Sequence, residues 1–226
     1  MAPDAFRHVV RWLLAGTAFA TASICAASAQ AAGGLDAALA PTPVEMAAAR
    51  THLSAALDDH RDVLPEAPLS IKVIGTARWS GTAPDRLLLV PIRVTSSEAA
   101  NGLCGLVTLS TDLSAAHLAD GSRAPWDLCK RIDAVVYADA NGSGASDVVE
   151  ILEVPSNRYR VDVAVAVVYL RDEHSAGGYC YSEQASDAVM GTYPLKRAVF
   201  EKTFARERAR LGLPRFECTP DRKSVV

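Results

Sequence analysis

The segment Arg158–Leu170 (RYRVDVAVAVVYL) limits the fold more than any other stretch of this chain. Tyr159, Val161, Val163, Val165, Val167 and Tyr169 alternate with their neighbours, which is the period of a β-strand built from β-branched and aromatic residues. Ala164, Ala166 and Val168 make the second face apolar as well. Such a strand is expected to become buried on both sides.

Shorter runs repeat the period. Leu69, Ile71, Val73, Ala77 and Trp79 alternate, Ser80–Asp85 supplies turn residues, and Leu88, Val90, Ile92 and Val94 alternate again. Together they predict a hairpin, with Pro91 placing the second strand at an edge or a bulge. Further strands are expected over Leu103–Ser110, Ile132–Ala138 and Val148–Val154, with Pro155-Ser156-Asn157 turning the chain and Tyr179–Tyr181 extended. Asp112–Asp120, ending at Gly121, reads as a short helix.

A helix begins at Thr42-Pro43-Val44-Glu45, where Thr42 and Glu45 form a capping box around a proline suited to the first turn. Met46, Ala49, Leu53, Leu57 and Leu64 give it one apolar stripe before Pro65 stops it. A last helix is predicted from about Pro194 to Leu211, capped by Thr192 and ended by Gly212 and Pro214. The pattern is α+β: a mostly antiparallel sheet of five or six strands with an N-terminal and a C-terminal helix packed on it.

The N-terminus reads as an address. Arg7, His8 and Arg11 precede an apolar run from Trp12 to Ile24, and Ala27-Ser28-Ala29 follows as a small-residue cleavage site. These are the parts of a secretory signal peptide, residues 1–29, and the run is too short to span a bilayer. A lipoprotein anchor at Cys25 would place a small residue where bulky Ile24 stands. Residues 30–41 are an Ala/Gly-rich leader, and 42–226 form one globular domain.

Cleavage after Ala29 leaves Cys104, Cys129, Cys180 and Cys218. An even count in an oxidising compartment predicts two disulfides. Three connectivities exist; Cys104–Cys129 with Cys180–Cys218 joins sequence neighbours, each bridge stabilising by about 3 to 4 kcal/mol. A CxxC spacing and clustered histidines, which a metal or redox site would show, are missing from the sequence.

The net charge of -3, from 23 Lys+Arg against 26 Asp+Glu, argues against nucleic acid as a partner. Loss of Arg7, Arg11 and Asp4 with the leader makes the mature chain one charge more negative. The basic face of the last helix (Lys196, Arg197, Lys202, Arg206, Arg208, Arg210, interspersed with Glu201 and Glu207) reads as a solvated face with local ion pairs. Asp58, Asp59, His60 and Asp62 read as the solvated end of the first helix.

One segment carries a chemical pattern. In Ala138-Asp-Ala-Asn-Gly-Ser-Gly-Ala-Ser-Asp147, the side-chain oxygens of Asp139, Asn141 and Ser143 alternate, Gly144 permits a sharp turn, and Asp147 returns a carboxylate. Hard oxygen donors at this spacing suit Ca²⁺, and Glu150 stands where an EF-hand loop places its last, bidentate ligand. The β-branched flank Val148, Val149, Ile151 and Val154 and the stop at Pro155 exclude an EF-hand helix. The run resembles the calcium loops of FG-GAP or VCBS-type β repeats, D-x-N-x-D-G-x-x-D before an apolar strand. That resemblance implies a Ca²⁺ loop between two strands, with Asp139, Asn141, Ser143 and Asp147 as side-chain ligands and Ala145 offering its carbonyl. It covers only about a dozen residues and occurs once, whereas those families build propellers from repeats; Ser143 also stands where they have aspartate. Without metal, Asn141-Gly142 would serve as an ordinary hairpin turn.

H-E-x-x-H, G-x-S-x-G, P-loop and Rossmann glycine patterns are all missing. Of the histidines past Ala29 (His52, His60, His117 and His174), His174 sits in a loop beside carboxylates, in Arg171-Asp172-Glu173-His174, and reads as a solvated surface turn rather than an acid/base group. The expectation is therefore an exported, non-catalytic binding protein of the periplasm or secreted space. Its partner would be another envelope or secreted protein, as for an inhibitor or immunity-type protein. The alternatives are a calcium-supported cell-envelope hydrolase or a structural assembly subunit.

Overall fold

The computed structural model describes residues 40–58, 69–81, 86–96, 102–119, 129–156 and 161–220. The leader segment 1–29, His60, Asp62 and Leu64 lie outside the described residues.

Among the described residues, nine strands form two antiparallel sheets. Sheet 1 contains β1 (Leu69–Val73), β2 (Arg78–Ser80), β3 (Leu87–Ser96), β4 (Leu103–Leu109) and β5 (Ala116–Leu118), in the order β1-β3-β4-β5 with β2 also on β3. Sheet 2 is a meander of β6 (Arg131–Ala138), β7 (Asp147–Ser156), β8 (Val161–Arg171) and β9 (Tyr179–Tyr181). The helices are α1 (Pro43–Asp58), α2 (Glu183–Val189) and α3 (Arg197–Leu211).

The class is α+β, but one sheet of five or six strands is corrected to two sheets. The reason lies in β3 and β4. Consecutive residues Leu88, Leu89 and Val90 are fully buried, and every residue of β4 is buried. A sheet apolar on both faces needs a layer on each, and here α1 covers one face of sheet 1 while sheet 2 covers the other. On the far side of sheet 2, Val149, Ile151, Ala166, Val168 and Leu170 pack against Ala185 and Val189 of α2 and Phe200 and Phe204 of α3. The strand legible as buried on both sides, now β8, is so only over residues 166–170, which lie between sheet 1 and the helices; Val161, Asp162 and Ala164 before them are exposed.

Pro91 does not mark an edge, because β3 is interior. It pairs with Leu106 on one side, while on the other it falls in the gap between the β1 pairing, which ends at Val73–Ile92, and the β2 pairing, which begins at Arg78–Leu89. The missing amide donor therefore costs no strand pairing there.

The predicted helix at 112–120 is also corrected. Leu113 has φ 61°, and the Asp112 carboxylate collects the Ser114 amide together with the Ser110 and Ser114 hydroxyls, closing a turn. Ala116–Leu118 then pairs with β4 instead of continuing a helix. The C-terminal helix starts at Arg197, with Lys196 at its N-cap, rather than at Pro194. Thr192 closes α2, its N–H donating to the Val189 carbonyl. Gly212 ends α3 in the left-handed conformation at φ 66°, as its place in the sequence requires.

Both disulfides are present. Cys104 of β4 joins Cys129, just before β6, and Cys180 of β9 joins Cys218 in the C-terminal segment. These are the neighbour-to-neighbour pairings.

Candidate functional site

The β6–β7 connection is stitched together by carboxylates. Asp139 Oδ1 accepts the Ser143 N–H at 3.0 Å and its Oδ2 the Gly144 N–H at 2.7 Å. Gly142 and Gly144 take φ 71° and 80°, which only glycine adopts cheaply. Ser143 Oγ accepts from Ala145 N at 3.2 Å. Asp147 is buried; its Oδ2 accepts from Ala140 N and its Oδ1 from Arg171 N, each at 2.7 Å. Burial pushes the Asp147 carboxyl up to about 7, and these amides hold it from rising further.

Asn141 faces away from this network. Its Oδ1 accepts the Phe216 N–H at 2.7 Å and its Nδ2 donates to the Phe216 carbonyl at 3.4 Å. Phe216 is buried edge-on to Phe204, with ring centroids 5.8 Å apart. The C-terminal segment is thereby pinned beside the loop, and the Cys180–Cys218 bridge, the Thr219 N–H to Tyr181 carbonyl bond and the Glu183 N–H to Thr219 Oγ1 bond hold its end.

Between this segment and the end of β8 lies an open cleft of about 280 Å³. One wall is Leu170, Arg171, Asp172 and His174; the other is Arg215, Phe216, Glu217 and Cys218, with Asn141 between them. Leu170 and Phe216 are buried apolar groups, while both cationic and acidic side chains line the opening. Asp172 Oδ1 accepts the His174 backbone N–H at 3.1 Å. A carboxylate oxygen of Asp172 and the sulfurs of Cys180 and Cys218 lie within 4.8 Å of one another, but both sulfurs are spent in the disulfide and are not thiolate ligands.

Glu150 is far from this chemistry in orientation. It lies on β7 opposite Val135 and Val167, on the face shared with Val148 and Leu152 that meets sheet 1, whereas Asp147 points to the other face. It is 0 % exposed and neither carboxylate oxygen has a hydrogen-bond partner among the described residues. Burial alone pushes this carboxyl up to about 8. Its charge is felt by Tyr137 and Tyr169, both held above the usual tyrosine range mainly by their own burial.

The structure thus brings Asp139, Ser143, Ala145 and Asp147 together in one loop, turns Asn141 outward, and removes Glu150 to the interior between the sheets. Of the histidines, His174 is at the cleft. Arg171, Asp172, Arg215 and Glu217 were not legible as a group, because about 40 residues of chain, with β9 and two helices, separate the two walls. The one available signal was Cys218, whose bridge to Cys180 draws them together.

No family model matches this chain, and neither a curated protein nor a solved structure is significantly similar to it. Among the described residues, no helix is long and apolar enough to cross a membrane.

Proposed function

We propose that this is an exported, non-catalytic binding protein that engages another envelope or secreted protein through the cleft between Leu170–His174 and Arg215–Cys218. The observation that carries this reading is the construction of the cleft. Charged side chains rim the cleft over buried Leu170 and Phe216, and arginine is among the residues enriched at interface hot spots. Its walls are tied by a disulfide, by the Asn141–Phe216 pair and by the Asp147–Arg171 bond, so little ordering entropy opposes binding.

Both disulfides and the N-terminal address support export, by cleavage after Ala29 into the periplasm or the medium. An inhibitor or immunity-type protein, blocking an envelope hydrolase or toxin, suits these features.

Site-specific photocrosslinking in the native host tests the proposal. A crosslinker at Arg215 is expected to trap one or a few exported proteins, and the same group at Lys202 on the outer side of α3 to trap none of them. Fully exported protein that yields no adduct from position 215 would overturn the reading.

A further inference from the structure

We infer that the Asp139–Asp147 loop closes without a metal ion and acts as a clasp, gripping the C-terminal segment where a calcium loop would grip its cation. The donor set implied by the FG-GAP/VCBS resemblance does not fit an ion here. Asp139 does not decide the matter, since a carboxylate accepting two N–H groups keeps further lone pairs. Two other residues do.

Asn141, the second nominal ligand, is turned to another partner: both polar atoms of its amide pair with the Phe216 backbone. Turning Oδ1 to an ion would leave the Phe216 N–H unpaired beside a buried ring. Each oxygen of Asp147 accepts a backbone N–H from a different element, Ala140 in the loop and Arg171 at the end of β8. Their remaining lone pairs, like those of Asp139, do not decide the matter, but these two bonds tie the loop to sheet 2. Glu150 faces the opposite side of β7 and supplies nothing.

The loop also has a cation already. The guanidinium of Arg208, from α3, lies against Gly142, so close that a Cβ there would meet Nη2 at 3.2 Å and Nη1 at 3.4 Å. Its Nη1 is buried without an acceptor among the described residues. A divalent ion added beside this half-buried charge would be repelled. Glu201, also from α3, accepts the Asp139 N–H at 3.3 Å, so helix, hairpin, β8 and C-terminal segment all meet at the loop. Asn141 is thus a positioning residue for one wall of the cleft.

Thermal unfolding of the purified mature chain, disulfides intact, in about 1 mM Ca²⁺ and then in EGTA tests the inference. A site whose dissociation constant lay a hundredfold below that concentration would raise Tm by roughly 5 to 10 °C. The expected result is the same Tm in both buffers and no saturable heat on titrating calcium alone. Asn141→Ala is expected to lower Tm equally with and without calcium. A calcium-dependent rise in Tm of the unaltered chain that Asp139→Asn abolishes would overturn the inference. So would a cost of Asn141→Ala seen only in calcium. The measurement on the unaltered chain stands whether or not the variant folds.

Discussion

Ser80 Oγ and the Tyr179 hydroxyl lie 2.8 Å apart in the buried space between the two sheets. The phenol has one hydrogen, and it donates this to the Ser146 carbonyl at 2.6 Å. Ser80 must then be the donor to Tyr179. A strand of sheet 1, a strand of sheet 2 and the loop before β7 are joined through one oxygen. Tyr179→Phe leaves the buried Ser80 hydroxyl without that acceptor and is expected to cost about 1 to 3 kcal/mol. Urea unfolding at neutral pH measures it; an unchanged midpoint would show that the link carries no energy.

Glu150 sets a pH dependence. The folded protein keeps its proton up to about pH 8, whereas the unfolded carboxyl releases it near its ordinary value of 4.5. Between these values the native state binds more protons than the unfolded one, so stability falls as pH rises from about 4.5 to 8. Asp147, pushed up to about 7 by burial, adds to the same fall over the lower part of that window. Glu150→Met, similar in volume and without a charge, is expected to be at least about 1 kcal/mol more stable at pH 8 and to lessen the slope. Denaturant midpoints of both chains across pH 5 to 8 check this. Parallel curves would mean that Glu150 does not hold its proton.

Two glycines of the loop separate backbone strain from contact. Gly142 and Gly144 both have positive φ, at 71° and 80°. A Cβ at Gly144 meets nothing within 4 Å, whereas one at Gly142 presses on the Arg208 guanidinium. Each alanine variant is expected to lose about 1 kcal/mol from the left-handed backbone, with Gly142→Ala losing more. Equal losses would show that Arg208 moves aside freely.

The Cys180–Cys218 bridge closes a separation of 38 residues and holds one wall of the cleft. Replacing both cysteines with serine is expected to cost about 2 to 5 kcal/mol. The mature protein, unfolded in concentrated guanidinium, should titrate no thiol until a reductant is added. Thiols found before reduction would contradict both the bridges and export.

Much of the fold was readable because it rests on local rules. Alternation marked β3, β8 and the run that became β1 and β2, since side chains leave a strand with period two whatever lies opposite. Gly212 marked the end of α3, since a left-handed residue there is cheap only for glycine. The short α2 escaped notice: its signal was Ser182, whose Oγ accepts the Ala185 N–H, one hydroxyl among many in a polar stretch. Asp112–Asp120 misled because its apolar residues suit a helix or an edge strand equally, and pairing with β4 decided for the strand.

Sequence alone thus determined most of the strands, the C-terminal end of α3, the cysteine parity and the polar loop, because each depends on covalent geometry and near neighbours. Tertiary structure decided that the strands divide into two sheets, that Asn141 holds Phe216, that Glu150 lies unpaired between the sheets, and that two distant segments form a cleft. Those outcomes depend on which groups meet across long spans of chain. An oxygen donor reads the same in a sequence whether it faces a cation, a backbone amide or the core.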